Sequence, residues 1–203
     1  GFVVDVDGKK ISKSSTYSKP MDAGHFVGRH GADIVRLWVS SVNYTDDVPF
    51  SEEMFTRLGD TYRRIRNTLR ILLGNLHDYQ PQEATTGART LVDRWILDRL
   101  QGVLEECRAA YQSYEFHKVY HILNQFCAVD LSSLYIDITK DRMYCDAPSA
   151  PRRRATQAAM REIFEVLCRL LPPILPFPAE EACLPLRAHG SLHRPSCPQP
   201  PTA

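Results

Sequence analysis

The longest helical pattern in the sequence follows Ser51, and it constrains the fold more than any other feature. Apolar residues recur there at spacings of three and four, namely Met54, Phe55, Leu58, Tyr62, Ile65, Leu69, Leu72, Leu73 and Leu76. Such spacing places apolar side chains on one face of a helix, and the run is too long for a strand. Ser51 suits the N-cap, and Glu52 and Glu53 follow where the helix dipole favours carboxylates. The pattern predicts one long helix with a buried face.

Three further segments have a similar helical character. They cover residues 91–111, 116–144 and 151–171, and Pro151 is acceptable in the first turn of the last one. Long amphipathic helices joined by short polar loops, such as residues 80–88, form antiparallel bundles. We therefore expect a mainly α fold with a helical bundle over residues 51–183.

The first fifty residues have a different pattern. Strand-forming side chains are followed by Asp7-Gly8, a strong turn dipeptide, which predicts a hairpin. Two short helices are expected next, the first ending at Gly31 and the second, buried, over GADIVRLWVSS. Because a hairpin strand needs a neighbour, we expect this chain to be a piece of a longer protein.

Residues 184–203 are rich in Pro, Ser and His and have no apolar period. Such a composition buries too little apolar surface to order a chain. We expect this segment to be a disordered or frameshifted tail.

The bulk composition excludes several classes of protein. The formal net charge is +1, so a role in nucleic-acid binding must come from local patches. The six cysteines include no CxxC pair, and His117 and His121 have no third ligand in register, so no metal or zinc site is expected. The cysteines are interpreted as reduced thiols of an intracellular protein, and we expect it to be cytoplasmic. There is no apolar run of about 18 residues, so we expect no membrane association.

The polar segment GKKISKSSTY, residues 8–17, is the best candidate for chemistry. Lys10, Ser12, Lys13 and Ser14 bring ammonium and hydroxyl donors together in a segment that is not helical. A lysine is a mobile point charge that can follow a phosphate chain through a reaction. By composition alone, however, a solvated turn is the better interpretation, and the glycines of a P-loop are absent.

Arginines mark the exposed side of the long predicted helix. Arg63, Arg66 and Arg70 share one face, and Arg64 lies on an adjacent row. Arginines in this arrangement can hold phosphates of single-stranded RNA, although a solvated helix face is the commoner role of such a stripe. We take these four residues as the candidate RNA-binding group.

A second candidate for RNA binding is the cluster Arg152-Arg153-Arg154. A solvated helix start is an equally good interpretation of this cluster.

Lys10-Ile11-Ser12-Lys13-Ser14 resembles the K-M-S-K-S signature of class I aminoacyl-tRNA synthetases, with Ile11 in place of Met. The surrounding segments GADIVRLW, YRRIRNTLRILLGNL and DLSSLYIDITKDRMY resemble successive blocks of the isoleucyl-tRNA synthetases of bacterial and organellar type. The similarity covers residues 1–183.

The resemblance implies ATP-dependent activation of isoleucine, with Mg²⁺, and transfer of the amino acid to isoleucine tRNA. In the family this loop closes over ATP, which makes Lys10 and Lys13 the candidate catalytic residues. The candidate ATP-binding residues are Lys10, Ile11, Ser12, Lys13 and Ser14. Residues 1–50 would end the catalytic domain, and the helices of residues 51–183 would form an anticodon-binding bundle.

The resemblance also implies that the intact protein is a monomer and that this chain alone is inactive. The H-I-G-H signature and the strands that would hold adenine and the amino acid are absent from it. The alternative is a stand-alone RNA-binding or structural helical module, derived from a synthetase and without catalysis.

Overall fold

The computed structural model describes residues 1–5, 7–12, 22–79 and 89–188, with side chains of the last range as far as residue 184. Lys13, Ser14 and the loop predicted over residues 80–88 lie outside the described residues. The same holds for the predicted tail from residue 189 onward.

Two short strands and two helices form the N-terminal unit. Strand β1 (Val3–Val4) pairs in parallel with β2 (Val48–Pro49), and α1 (Ala23–His30) and α2 (Ala32–Ser41) lie between them along the chain. Asp22 caps α1, because its carboxylate accepts a hydrogen bond from the backbone N–H of His25 at 2.9 Å. Gly31 separates the two helices as predicted, with a φ of 89° that suits glycine.

The turn predicted at Asp7-Gly8 is confirmed. The backbone N–H of Asp5 donates to the carbonyl of Lys9 at 2.9 Å, and Val4 forms an antiparallel bridge with Lys10. Gly8 has a φ of 78°, which only glycine adopts without strain. The turn therefore brings Lys10 back beside β1.

The predicted mainly α architecture is confirmed. The bundle comprises α3 (Glu52–Asn75), α4 (Leu91–Gln112), α5 (Phe116–Gln125), α6 (Ile136–Cys145), α7 (Pro151–Leu170) and α8 (Pro176–Ala188). Ser51 occupies the N-cap of α3 but makes no side-chain capping bond, whereas Thr90 and Asp93 form a capping box on α4. Since α8 runs to Ala188, residues 184–188 are helical, and the prediction of a tail from residue 184 was wrong for them.

One core connects these helices. Its fully buried side chains come from α2, α3, α4, α5, the segment after α5, and α7, and they include Phe55, Leu72, Ile96, Phe126 and Phe164. None of the described helices is long and apolar enough to cross a membrane.

The prediction of a single α-helix over residues 116–144 needs one correction. Between α5 and α6 the chain forms a π segment, Phe126–Tyr135. Its buried side chains Cys127, Leu131 and Tyr135 are spaced by four residues, and Phe126 stands five residues before Leu131. A wider turn with i→i+5 bonding keeps all of them on the core side. The helix therefore widens where it packs against α3 and α4.

The N-terminal unit is fixed to the bundle through Arg36 on α2. Its guanidinium donates to the backbone carbonyls of Ile174 at 3.0 Å and Pro173 at 2.8 Å. These carbonyls belong to the turn between α7 and α8, where helix ends leave acceptors without intrahelical donors.

Candidate nucleic-acid interface

The four arginines predicted to bind RNA lie on the exposed side of α3. We call Arg63, Arg64, Arg66 and Arg70 the arginine ridge, and all four are exposed. The opposite side of α3 carries buried Phe55, Leu58, Ile65, Leu69 and Leu72. The amphipathic pattern therefore both forms the helix and directs the guanidinium groups to solvent.

Two members of the arginine ridge have acidic partners. Arg63 contacts Asp60 at 2.6 Å, and Arg66 contacts Glu181 of α8 at 2.7 Å. Both pairs are exposed, so each contributes little to stability and a phosphate can compete with the carboxylate.

The other two members, Arg64 and Arg70, have no acidic partner among the described residues. Asn67 is exposed between them, and Ile71 is 38% exposed one residue further on. Guanidinium groups bind phosphate, an amide can hydrogen-bond base edges, and an apolar side chain can pack against a base. The arginine ridge, Asn67 and Ile71 together offer the side-chain types that a single-stranded RNA loop requires.

Two of the three arginines in the second predicted cluster are buried. Arg153 and Arg154 are only 6% and 8% exposed, and Arg152 is paired with Asp146 at 2.7 Å. Arg153 donates to both carboxylate oxygens of Asp78, at 2.6 and 3.1 Å. The interpretation as a solvated helix start is wrong for Arg153 and Arg154, which are buried, and fits Arg152, which is exposed. The sequence could not show it, because the partner lies 75 residues away in the chain.

The Asp78 carboxylate is the acidic centre of this buried network. It also accepts a hydrogen bond from Gln157 at 2.7 Å, and Arg154 donates to the backbone carbonyl of Asp78 at 2.6 Å. The hydrogen bonds from Arg153 lower the pKa of Asp78 to about 2. The network joins the end of α3 to the start of α7.

We call the polar segment of residues 8–17 the lysine loop. Its described part is held against the core at Ile11 and is exposed at Lys10. Ile11 packs partly against the core, and its N–H donates to the Val3 carbonyl at 2.9 Å. Lys10 is exposed, and its ammonium lies 3.9 Å from the centre of the Phe2 ring, in a cation–π contact. Ser12 is half-buried, and Lys13 and Ser14 lie outside the described residues.

A cleft between α1 and α3 was not predicted. It has a volume of about 440 Å³, and Arg29, His30, Gly59 and Arg63 are among the residues that line it. Basic residues in the last turn of a helix are common because the helix dipole favours them, so Arg29 and His30 carried no distinctive signal.

No cluster of three or more His, Cys, Asp or Glu side chains suited to a metal ion occurs in the described part of the chain.

More than half of the chain matches a known protein family. A family model described as "Anticodon-binding domain of tRNA ligase" matches residues 93–203. The chain belongs to this family. The match to the anticodon-binding domain starts in α4, so α3 with the arginine ridge precedes it and packs against its π segment and α7.

The predicted similarity to isoleucyl-tRNA synthetases is also confirmed. An isoleucine–tRNA ligase of Methylacidiphilum infernorum (isolate V4) is 49% identical over 195 residues, which are 95% of this chain and 21% of that protein. The same enzyme of Symbiobacterium thermophilum is 47% identical over 184 residues, covering 90% of this chain and 19% of that protein. The Geobacter sulfurreducens enzyme is 43% identical over 203 residues, which cover 98% of this chain and 22% of that protein. The chain spans about a fifth of the length of these relatives.

Solved structures share the fold at lower sequence identity. LeuRS of Agrobacterium radiobacter K84, in a ternary complex with tRNA and LeuAMS, has a TM-score of 0.65 at 20% identity. That similarity covers 91% of this chain and 22% of LeuRS. The apo methionyl-tRNA synthetase of Mycobacterium tuberculosis has a TM-score of 0.65 at 18% identity, covering 90% and 40%.

Proposed function

We propose that this chain is the tRNA-binding part of an isoleucine-tRNA ligase and that the arginine ridge binds its tRNA. The observation that carries the proposal is the pair Arg64 and Arg70, exposed on α3 beside Asn67, in a chain that belongs to the anticodon-binding family. Free guanidinium groups on an exposed helix raise the local cation density, although the net charge of the chain is only +1.

The proposal extends to the lysine loop. Lys10 and Lys13 would stabilise negative charge on the phosphates of ATP during activation of isoleucine, with Ser12 and Ser14 as hydroxyl donors. Mg²⁺ would accompany the ATP. The contact of Lys10 with Phe2 supports this role, because a cation–π contact holds the ammonium at the root of the loop and leaves it exposed. The rest of the catalytic domain would have to be supplied by a longer, monomeric, cytoplasmic protein, and this chain alone would not aminoacylate tRNA.

The binding experiment measures the dissociation constant of the 203-residue chain for isoleucine tRNA and valine tRNA by fluorescence anisotropy at several salt concentrations. We expect isoleucine tRNA to bind more tightly than valine tRNA. Its dissociation constant should rise as the salt concentration rises. Arg64→Ala and Arg70→Ala should each weaken binding and reduce the salt slope by about 1. Arg108→Ala, a charge-matched change on the exposed side of α4, should leave both quantities unchanged.

Equal and salt-independent affinity for both tRNAs would contradict the proposal and favour a structural module. The catalytic part is tested separately, by replacing Lys13 with alanine in the complete enzyme. ATP–pyrophosphate exchange should slow far more than tRNA binding weakens, and an unchanged exchange rate would rule out the loop assignment.

A further inference from the structure

The cleft between α1 and α3 has the size and lining of a small-molecule site. Its volume of about 440 Å³ falls within the roughly 300–1,000 Å³ usual for such sites. Ile34 and Phe55 supply apolar surface, and Arg29, His30 and Arg63 supply polar groups. The cleft lies beside the arginine ridge, and Arg63 belongs to both.

One aromatic ring stacks with two others at the cleft. Phe55 stacks with both His30 and Phe26, with ring centres 5.1 Å apart in both pairs and interplanar angles of 15° and 10°. Phe26 is buried in the core, whereas His30 and Phe55 both line the cleft. A flat ring that enters the cleft can therefore extend an existing stack.

His30 also carries a polar atom without a partner among the described residues, in the plane of its ring. Its Nε2 atom is buried and has no hydrogen-bond partner within the described residues. A buried polar atom without a partner costs free energy, which a ligand group recovers when it forms the missing hydrogen bond.

Two guanidinium groups line the cleft together with the His30 ring. Arg29 is paired with Glu52 at 3.2 Å and Arg63 with Asp60 at 2.6 Å, and the side chains of both arginines are more than half exposed. Exposed ion pairs are weak, and a charge-assisted arginine–phosphate bond can replace either of them.

We propose that this cleft binds one unpaired nucleotide of the RNA held by the arginine ridge. The base stacks on His30, whose ring already stacks with Phe55, and the phosphate contacts Arg29 and Arg63. The inference rests on the proposed function, because it assigns a second contact to the same RNA.

Gly59 provides a test that changes no charge. Gly59 lines the cleft, and a Cβ atom added to it would meet only the Arg63 guanidinium, at 3.9 Å. Gly59→Leu therefore fills the cleft, and it should fold well because leucine is a better helix former than glycine. Gly102→Leu on α4 is the matched control, since Gly102 has open space around its Cβ position.

The dissociation constant for a fluorescein-labelled RNA hairpin with an unpaired loop is measured for both variants and for Arg29→Ala. We expect Gly59→Leu to bind at least about fivefold more weakly, which is the effect of losing one stacked base. Arg29→Ala should bind roughly tenfold more weakly and have a smaller salt slope. Photocrosslinking with a single 4-thiouridine in the loop should label the peptide that contains His30.

The outcomes separate this inference from the proposed function. If Arg64→Ala weakens binding while Gly59→Leu and Arg29→Ala do not, the ridge binds RNA and the cleft does not. If the unmodified chain fails to bind the hairpin and isoleucine tRNA, both proposals fall. Circular dichroism of each variant establishes that a loss of binding is not a loss of fold.

Discussion

Replacing Asp78 with asparagine should destabilise the chain by about 2–4 kcal/mol. The Arg153 side chain is 7% exposed, and both of its hydrogen bonds to carboxylate oxygens are made to Asp78. Asparagine keeps the shape of the side chain but removes its charge, so the guanidinium stays buried without a counter-charge. Breaking a buried pair in this way costs about 3–5 kcal/mol. The residual polar contacts of asparagine reduce the expected loss.

The pKa of Asp78 gives a second estimate of the same magnitude. Arg153 lowers this pKa from an ordinary 3.8 to about 2. One pKa unit corresponds to about 1.4 kcal/mol, so ionised Asp78 contributes roughly 2 kcal/mol. Because the folded-state pKa is the lower one, this contribution is present above about pH 4 and is lost as the pH falls toward about 2.

The assay is urea unfolding followed by circular dichroism, for the original chain and Asp78→Asn, at a series of pH values from neutral to acidic. The difference in the free energy of unfolding should be largest at neutral pH and shrink below about pH 4. Asp141→Asn, on the exposed side of α6, is the control and should shift stability by less than about 0.5 kcal/mol. A difference for Asp78→Asn that is below about 0.5 kcal/mol, or that does not change with pH, would refute the reasoning.

Two further substitutions test other contacts. Glu181→Ala releases Arg66 from an exposed ion pair, so the free energy of unfolding should change by less than about 1 kcal/mol. RNA binding should become tighter, and weaker binding in the anisotropy assay would contradict this. Tyr135→Phe removes a buried hydroxyl that donates to Asp93 at 2.9 Å. The free energy of unfolding in urea should fall by about 1.5–3 kcal/mol. An unchanged unfolding midpoint would show that this hydrogen bond contributes nothing to stability.

Local features of the fold could be predicted because neighbouring residues determine them. Asp7-Gly8 and Gly31 place a turn and a helix boundary through backbone conformations that favour glycine. The apolar spacing after Ser51 likewise sets both the length of α3 and the face that it buries. For the same reason the ridge arginines were correctly placed on the exposed side.

Features that depend on distant partners could not be predicted. Arg66 and Glu181 are 115 residues apart, and Arg153 and Asp78 are 75 apart, so no local pattern indicates that either pair forms. Three consecutive arginines look solvated unless a buried acid is known to face them. The π segment was missed because helical spacing over residues 116–144 averages out a local widening of the turn. The cleft at His30 requires the packing of α1 on α3, which the spacing within either helix does not show.

The strand pair β1–β2 has a mechanical consequence. The N–H of Val48 donates to the Phe2 carbonyl, and that of Phe50 to the Val4 carbonyl, both at 2.8 Å. Helix α3 begins two residues after Phe50, and Lys10 is bridged to Val4. A rotation of α3 about its first turn would therefore displace β2, then β1, and then the root of the lysine loop. Through this short chain of backbone hydrogen bonds, an RNA that rotates α3 would also shift Lys10.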